Sequence, residues 1–105
     1  MNNKRRKDLK NVIEEIERIK EELSEFSSRV EEVKDDLESL KEEEEEALDG
    51  LPESLQESER GERMQEAIDA LEEAVDGFDS FMEELESLPE SLDSVVDSIG
   101  NAIDA

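Results

Sequence analysis

Stepping 3, 4, 3, 4 from Leu9 lands on Val12, Ile16, Ile19, Leu23, Phe26, Val30, Val33, Leu37 and Leu40 without meeting a polar residue. Such a strict seven-residue repeat is the mark of a helix that packs along a narrow seam. Charged residues flank it, with Glu15, Glu22 and Asp36 on one side and Lys20, Lys34 and Lys41 on the other. Glu14–Arg18 and Glu25–Arg29 have the i,i+4 spacing of helix-stabilising ion pairs. The pattern predicts one helix over residues 8–48, preceded by a flexible basic start at 1–7. The seam fails at Glu44, inside the run "EEEEE", where Glu42 and Glu46 repel one another across one turn. A frayed or solvent-facing helix end is expected there.

"DGLPES" stops the helix, because Gly50 permits a C-cap and Pro52 disfavours helical geometry at Leu51. The turn is expected over 49–58, with Ser58 as N-cap of the second arm. That arm is predicted over 59–104 from three apolar columns that step by seven. One holds Met64, Leu71, Phe78, Leu85, Leu92 and Ile99; the next Ala67, Ala74, Phe81, Leu88, Val95 and Ala102; the third Ile68, Val75, Met82, Val96 and Ile103. Pro89 interrupts only the third. An interior proline costs a helix ~3 kcal/mol, and Ser87 and Glu90 have capping-box spacing, so a kink or a break with restart is expected at Pro89. Phe78, Phe81, Met82 and Leu85 read as core, with Gly77 beside them where another backbone could approach.

The expected fold is therefore all-α and a single helical domain over residues 1–105. It is a long antiparallel hairpin or coiled coil in which Phe26, Val30 and Val33 face the second arm. A three-in-seven stripe on that arm is wider than one neighbour needs. A lone hairpin is expected to leave Ile68, Val75, Val96 or Ile103 partly wet, so two chains are expected to pair as a homodimeric four-helix bundle. A parallel dimer through the first arm alone, with Glu15–Lys20 and Asp36–Lys41 pairs, is the alternative.

Charge changes this picture most. Residues 1–41 hold 10 Lys/Arg against 12 Asp/Glu, whereas residues 42–105 hold 2 against 23, for a chain total of −23. Such a surface repels nucleic acid and anionic membrane and attracts basic proteins. There is no Cys or His for a zinc site, no calcium loop in "DGFDSFMEE", and no pair of acids in contrasting environments for general acid–base work. An enzyme, a cofactor and a metal are not expected. No apolar stretch reaches membrane-spanning length, and "MNNKRRKDLK" lacks the apolar region of a secretory signal.

"MNNKRRKDLK", "LPESLQESERGERMQEAIDALEEAVD" and the acidic tail resemble a group of small acidic helical proteins carried by phages and mobile elements of Gram-positive bacteria. The resemblance covers most of the chain, is clearest over residues 51–76, and weakens over 21–41, where the first helix is longer than in that group. It carries no activity and no site residues. It implies a phage setting and the cytoplasm of a host bacterial cell, where small acidic proteins that disable host defence enzymes are a recurring type.

Carboxylates on a helix can stand in for phosphates. The leading expectation is an acidic phage-type inhibitor that mimics nucleic acid. Its partner would be a basic host protein, a nuclease or another nucleic-acid-binding defence component. The partner-binding candidates are Glu42, Glu43, Glu45, Glu46, Glu72, Glu73, Asp76, Glu83, Glu84 and Glu86. The alternative is a structural coiled-coil protein of assembly or scaffolding, whose charge serves solubility.

Overall fold

The computed structural model describes Met1–Ala105 and contains helices only: α1 (Asn3–Asp49), α2 (Glu53–Gln56) and α3 (Glu59–Asp104). Two compact units divide the chain. One joins Met1–Ser28 of α1 to Met82–Ala105 of α3; the other, Arg29–Phe81, holds the end of α1, the turn and the start of α3. In each unit the two long helices run antiparallel. Lys20 pairs with Asp93 in the first, and Lys34 with Asp79 in the second.

The faces turned inward match the expected ones in part: Val30 and its column face inward as expected, whereas the Val12–Ile19–Phe26–Val33–Leu40 column does not. On α1 the column Leu9, Ile16, Leu23, Val30, Leu37 is covered, together with Ile13, Lys20, Ser27, Lys34, Lys41 and Leu48. On α3 the Met64–Leu71–Phe78–Leu85–Leu92–Ile99 column is covered, together with Ile68, Val75, Met82, Pro89, Val96 and Ile103. Ile16, Val30, Ile68, Val75 and Leu85 are the core, each 5–9% exposed. Ile68 and Val75, expected to be wet in a lone hairpin, are thus among the driest residues. Phe26 and Val33, expected to face the second arm, are 43% and 52% exposed. The reason is a rotation of α1 by one column. It lets the aliphatic stems of Lys20 and Lys34 lie over the seam while their ammonium groups reach α3.

Helix α1 starts at Asn3, inside the stretch expected to be a flexible start. Asn2 Oδ1 accepts the Arg5 backbone N–H at 2.8 Å, one of the four orphan donors of a helix start. Arg6 is drawn to the other end of the chain: its Nε donates to the Ile103 carbonyl at 3.1 Å and its Nη2 to the Ala105 carbonyl at 3.4 Å. A cation on the last carbonyls of a helix is favoured by hydrogen bonding and by the helix dipole. At the other end α1 runs through the glutamates to Asp49 without fraying. Lys41 pairs with Glu45 at 3.6 Å, and Glu44 lines one open cleft with Arg60, Arg63 and Met64. The expected ion pairs of α1 also shift. Arg18 pairs with Glu15 rather than Glu14, and Arg29 pairs with nothing in its own chain.

At the turn Gly50 is not left-handed; its N–H bonds the Glu46 carbonyl at 2.9 Å and Leu51 N–H the Leu48 carbonyl at 3.1 Å. The Ser58 hydroxyl donates back to the Leu55 carbonyl rather than accepting from α3. Helix α3 continues unbroken through Pro89. Ser87 donates to the Glu84 carbonyl at 2.7 Å instead of forming a capping box. Pro89 occupies the Ile68–Val75–Met82 column and is half-buried, so its ring adds apolar contact that offsets the lost hydrogen bond.

Gly61 is the one position where only glycine fits. A Cβ there would stand 2.0 Å from the Gln56 carbonyl oxygen, because α2 folds back onto the start of α3. Gly77 has nothing within 4 Å of an added Cβ, so no backbone of this chain approaches it. Alanine normally favours a helix over glycine by about 0.8–1.0 kcal/mol. Gly77→Ala is expected to gain roughly that amount. Gly61→Ala is expected to lose about 1–3 kcal/mol through overpacking, net of that gain. Thermal unfolding followed by circular dichroism checks the pair; equal shifts for both variants would show that α2 does not press on Gly61.

Candidate partner-binding surface

The seam sorts the charges into sides. Lys20, Lys34 and Lys41 lie at its edge on α1, and the acids they face on α3 belong to one long file. Asp69, Glu72, Asp76 and Asp79 form it in one unit, and Glu83, Glu86, Glu90, Asp93 and Asp97 in the other. The spacing is 3, 4, 3, 4 throughout, which keeps each acid on the same side of its helix. All nine are exposed. Only Asp79 and Asp93 have a lysine partner.

The lysine contacts have a definite electrostatic sense. Lys20 Nζ donates to Asp93, and this hydrogen bond raises the ammonium above the usual lysine range against the opposing cost of desolvation. Lys34 is raised in the same way by its bond to Asp79. Secondary neighbours are Glu17, 3.7 Å from Lys20, and Glu38, 3.7 Å from Lys34.

Of the ten candidates, six turn to the side of this acid file. In the Arg29–Phe81 unit they are Glu42 and Glu45 on α1 with Glu72 and Asp76 on α3; in the other unit they are Glu83 and Glu86. The remaining four, Glu43, Glu46, Glu73 and Glu84, stand about a quarter to a third of a turn away, at roughly 100° per residue. Glu43 and Glu84 border the opposite side of the pair, and Glu46 and Glu73 lie on the backs of their helices. Nine of the ten are exposed; Glu45 is half-covered and held by Lys41. Sequence reasoning missed Asp69, Asp79, Glu90, Asp93 and Asp97. The available signal was the 3–4 spacing of acids along α3, the same test that found the apolar columns.

The opposite side is apolar. Val12, Ile19 and Phe26 of α1 with Leu88 and Val95 of α3 are 41–47% exposed in one unit. Val33 and Leu40 with Phe81 are 39–56% exposed in the other. Leu9, Ser94, Val95, Ser98, Ile99 and Ala102 line a shallow groove on this side of the first unit. No three carboxylates converge closely enough to hold a metal ion. No helix is long and apolar enough to cross a membrane. No protein-family model, curated protein or solved structure matches the chain.

The lysine bonds predict an alkaline transition. A group whose pKa is raised on folding stabilises fully below its unfolded value, near 10.4, and loses that contribution as pH rises through the folded value. Stability to urea is therefore expected to fall above about pH 10.4, and the fall is expected to shrink in the Lys20→Met/Lys34→Met variant. An equal fall in both proteins would assign it to the remaining lysines.

Proposed function

We propose that this chain is an acidic inhibitor that occupies the nucleic-acid-binding surface of a basic protein, presenting the carboxylate file of α3 in place of a phosphate backbone. The observation that carries the reading is the file itself: nine exposed acids at helical spacing, with two neutralised by lysine. A step of 3.5 residues advances about 5 Å along a helix, against about 3.4 Å of axis per phosphate on one DNA strand. With two of the nine paired, one file thus offers roughly half of the charge density of a single strand. Acids of α1 turned to the same side, Glu42 and Glu45, add to it.

In this reading the protein works as a homodimeric four-helix bundle, its apolar sides together and its acid files outward. It acts in the cytoplasm of a bacterial host cell, against a nuclease or another nucleic-acid-binding component of host defence, in the phage setting that the sequence resemblance implies. The exposed apolar side favours one second reading, a coiled-coil assembly or scaffolding protein that uses the charge only to stay dissolved.

Attraction through exposed charge weakens with salt, and nucleic acid should compete for the same target surface. Immobilised protein is incubated with host lysate, and bound proteins are eluted with salt or with duplex DNA. Capture of a basic nucleic-acid-binding protein released by both is expected. Reversal of Glu72, Asp76 and Glu83 to Lys is expected to reduce its binding more than tenfold with the helical signal intact, because exposed charges contribute little to stability. Reversal of Glu43, Glu46 and Glu73 is expected to cost less. Equal retention by both variants, or capture of capsid or tail proteins instead, would move the assignment to the structural reading.

A further inference from the structure

We propose that a second copy of this chain docks on the unit formed by Met1–Ser28 and Met82–Ala105, its α3 lying antiparallel on this α3 across a two-fold axis at Val95. The inference rests on the homodimer reading and adds which helices meet and in what register.

The apolar side of this unit tapers along α3. Leu88, Val95 and Ala102 follow one another at steps of seven, which places them in one column of the helix. Leu88 and Val95 are 41% and 47% exposed. At the small end, Leu9, Ser94, Val95, Ser98, Ile99 and Ala102 line a groove of about 400 Å³. A column that runs large, medium, small is not matched by a parallel copy of itself, which sets large on large. An antiparallel copy matches it at each step. Leu88 lies over Ala102 at both ends, and Val95 lies over Val95 at the axis. A two-fold contact is self-complementary in this way, residue i on j and j on i. The second copy's Leu88 side chain then enters the groove beside Ala102.

Charge selects the same line. A chain of net charge −23 repels its own copies, so a second copy docks where carboxylates do not meet. Beside the tapered column α3 carries Ser87, Ser91, Ser94, Ser98 and Asn101, all exposed and none charged. Of the acids of α3 in this unit, only Glu84 stands on that rim, and in the antiparallel register it falls at the end of the contact, beside Ala105. The rim is also cheap to dry. The Ser87 hydroxyl donates to the Glu84 carbonyl at 2.7 Å, the Ser94 hydroxyl to the Glu90 carbonyl at 3.2 Å and the Ser91 hydroxyl to the Ser87 carbonyl at 3.4 Å. These hydroxyls keep a hydrogen bond within their own helix when water leaves, which avoids the cost of an unsatisfied buried group. The α1 margin of the same side carries Glu15 and Glu22 instead, where the same axis would set carboxylate against carboxylate. The contact therefore runs along α3.

Exchanging the two ends of the taper tests the register in the whole chain, by sedimentation equilibrium, with circular dichroism to verify the helices. Leu88→Ala is expected to weaken dimerisation about tenfold or more, because symmetry empties the position twice. Ala102→Leu is expected to weaken it comparably by setting leucine on leucine. The combined Leu88→Ala/Ala102→Leu chain reverses the taper and is expected to recover to within about threefold of the original. Recovery is specific to antiparallel α3 pairing, since neither a parallel α3 pair nor a contact through α1 sets residue 88 against residue 102. Val95→Glu places two carboxylates at the axis and is expected to leave a monomer. A dimer indifferent to Val95→Glu, or a swap that does not recover, overturns this contact while leaving the homodimer reading standing. An unsubstituted chain that stays monomeric at about 100 µM, where a contact of micromolar affinity is saturated, overturns both. None of these results touches binding to a basic partner, which the assay does not contain.

Discussion

Lys20 and Lys34 reach across the seam to Asp93 and Asp79, and that choice determines which faces lie inside. Exposed ion pairs contribute little to stability, with a typical value of about 0–1 kcal/mol each. Their weight here is in selection. Helix α3 carries three apolar columns, more than one neighbour can cover, and α1 carries two, so the apolar pattern alone does not rank the rotations. Only a rotation that brings the lysine column to the seam lets its stems add apolar cover and its charges meet the acid file. The same rotation pushes Val12, Ile19, Val33 and Leu40 outward, where they are about half exposed. The dry core and the wet apolar side are two results of one choice.

Much of the architecture was legible. The ten-residue apolar run of α1, the unbroken phase of α3 and the "DGLP" turn define two long helices and their order. The rotation was not legible, because a seven-residue repeat identifies columns without ranking them. Lysines read as flanking charge prove to be half-covered seam residues, and the cue lay in their separation by the same two-heptad step as Asp79 and Asp93. The fate of "KRRK" was hidden for another reason. Arg6 is ordered by carbonyls of Ile103 and Ala105, some hundred residues away, and no local pattern encodes that. Gly61 was equally silent, since its need arises only when α2 folds back over it.

The acidic surface was legible in amount and not in direction. A count of charge in residues 42–105 marks the region, but ten acids chosen by lying outside the apolar stripes mix two sides of a helix pair. The structure separates them. Glu72, Asp76, Glu83 and Glu86 stand in the α3 file, while Glu84 edges the apolar side and Glu73 lies on the back of the helix. Pro89 shows the same limit from another direction. Its cost is local and legible, but its half-buried place in the Ile68–Val75–Met82 column is set by how the helix packs.

Within each unit the acid file and the apolar side lie on opposite faces of a two-helix layer, which bears on how one small chain can hold two kinds of partner. A basic protein on the acid file and a second copy on the apolar side would not contend for the same atoms. They would also answer differently to ionic strength. Screening weakens attraction to a basic partner and equally weakens the self-repulsion of two chains of charge −23. The charge that would recruit a basic partner would therefore oppose a second copy, and an acidic surface of this density is compatible with self-association only where the contact keeps carboxylates apart.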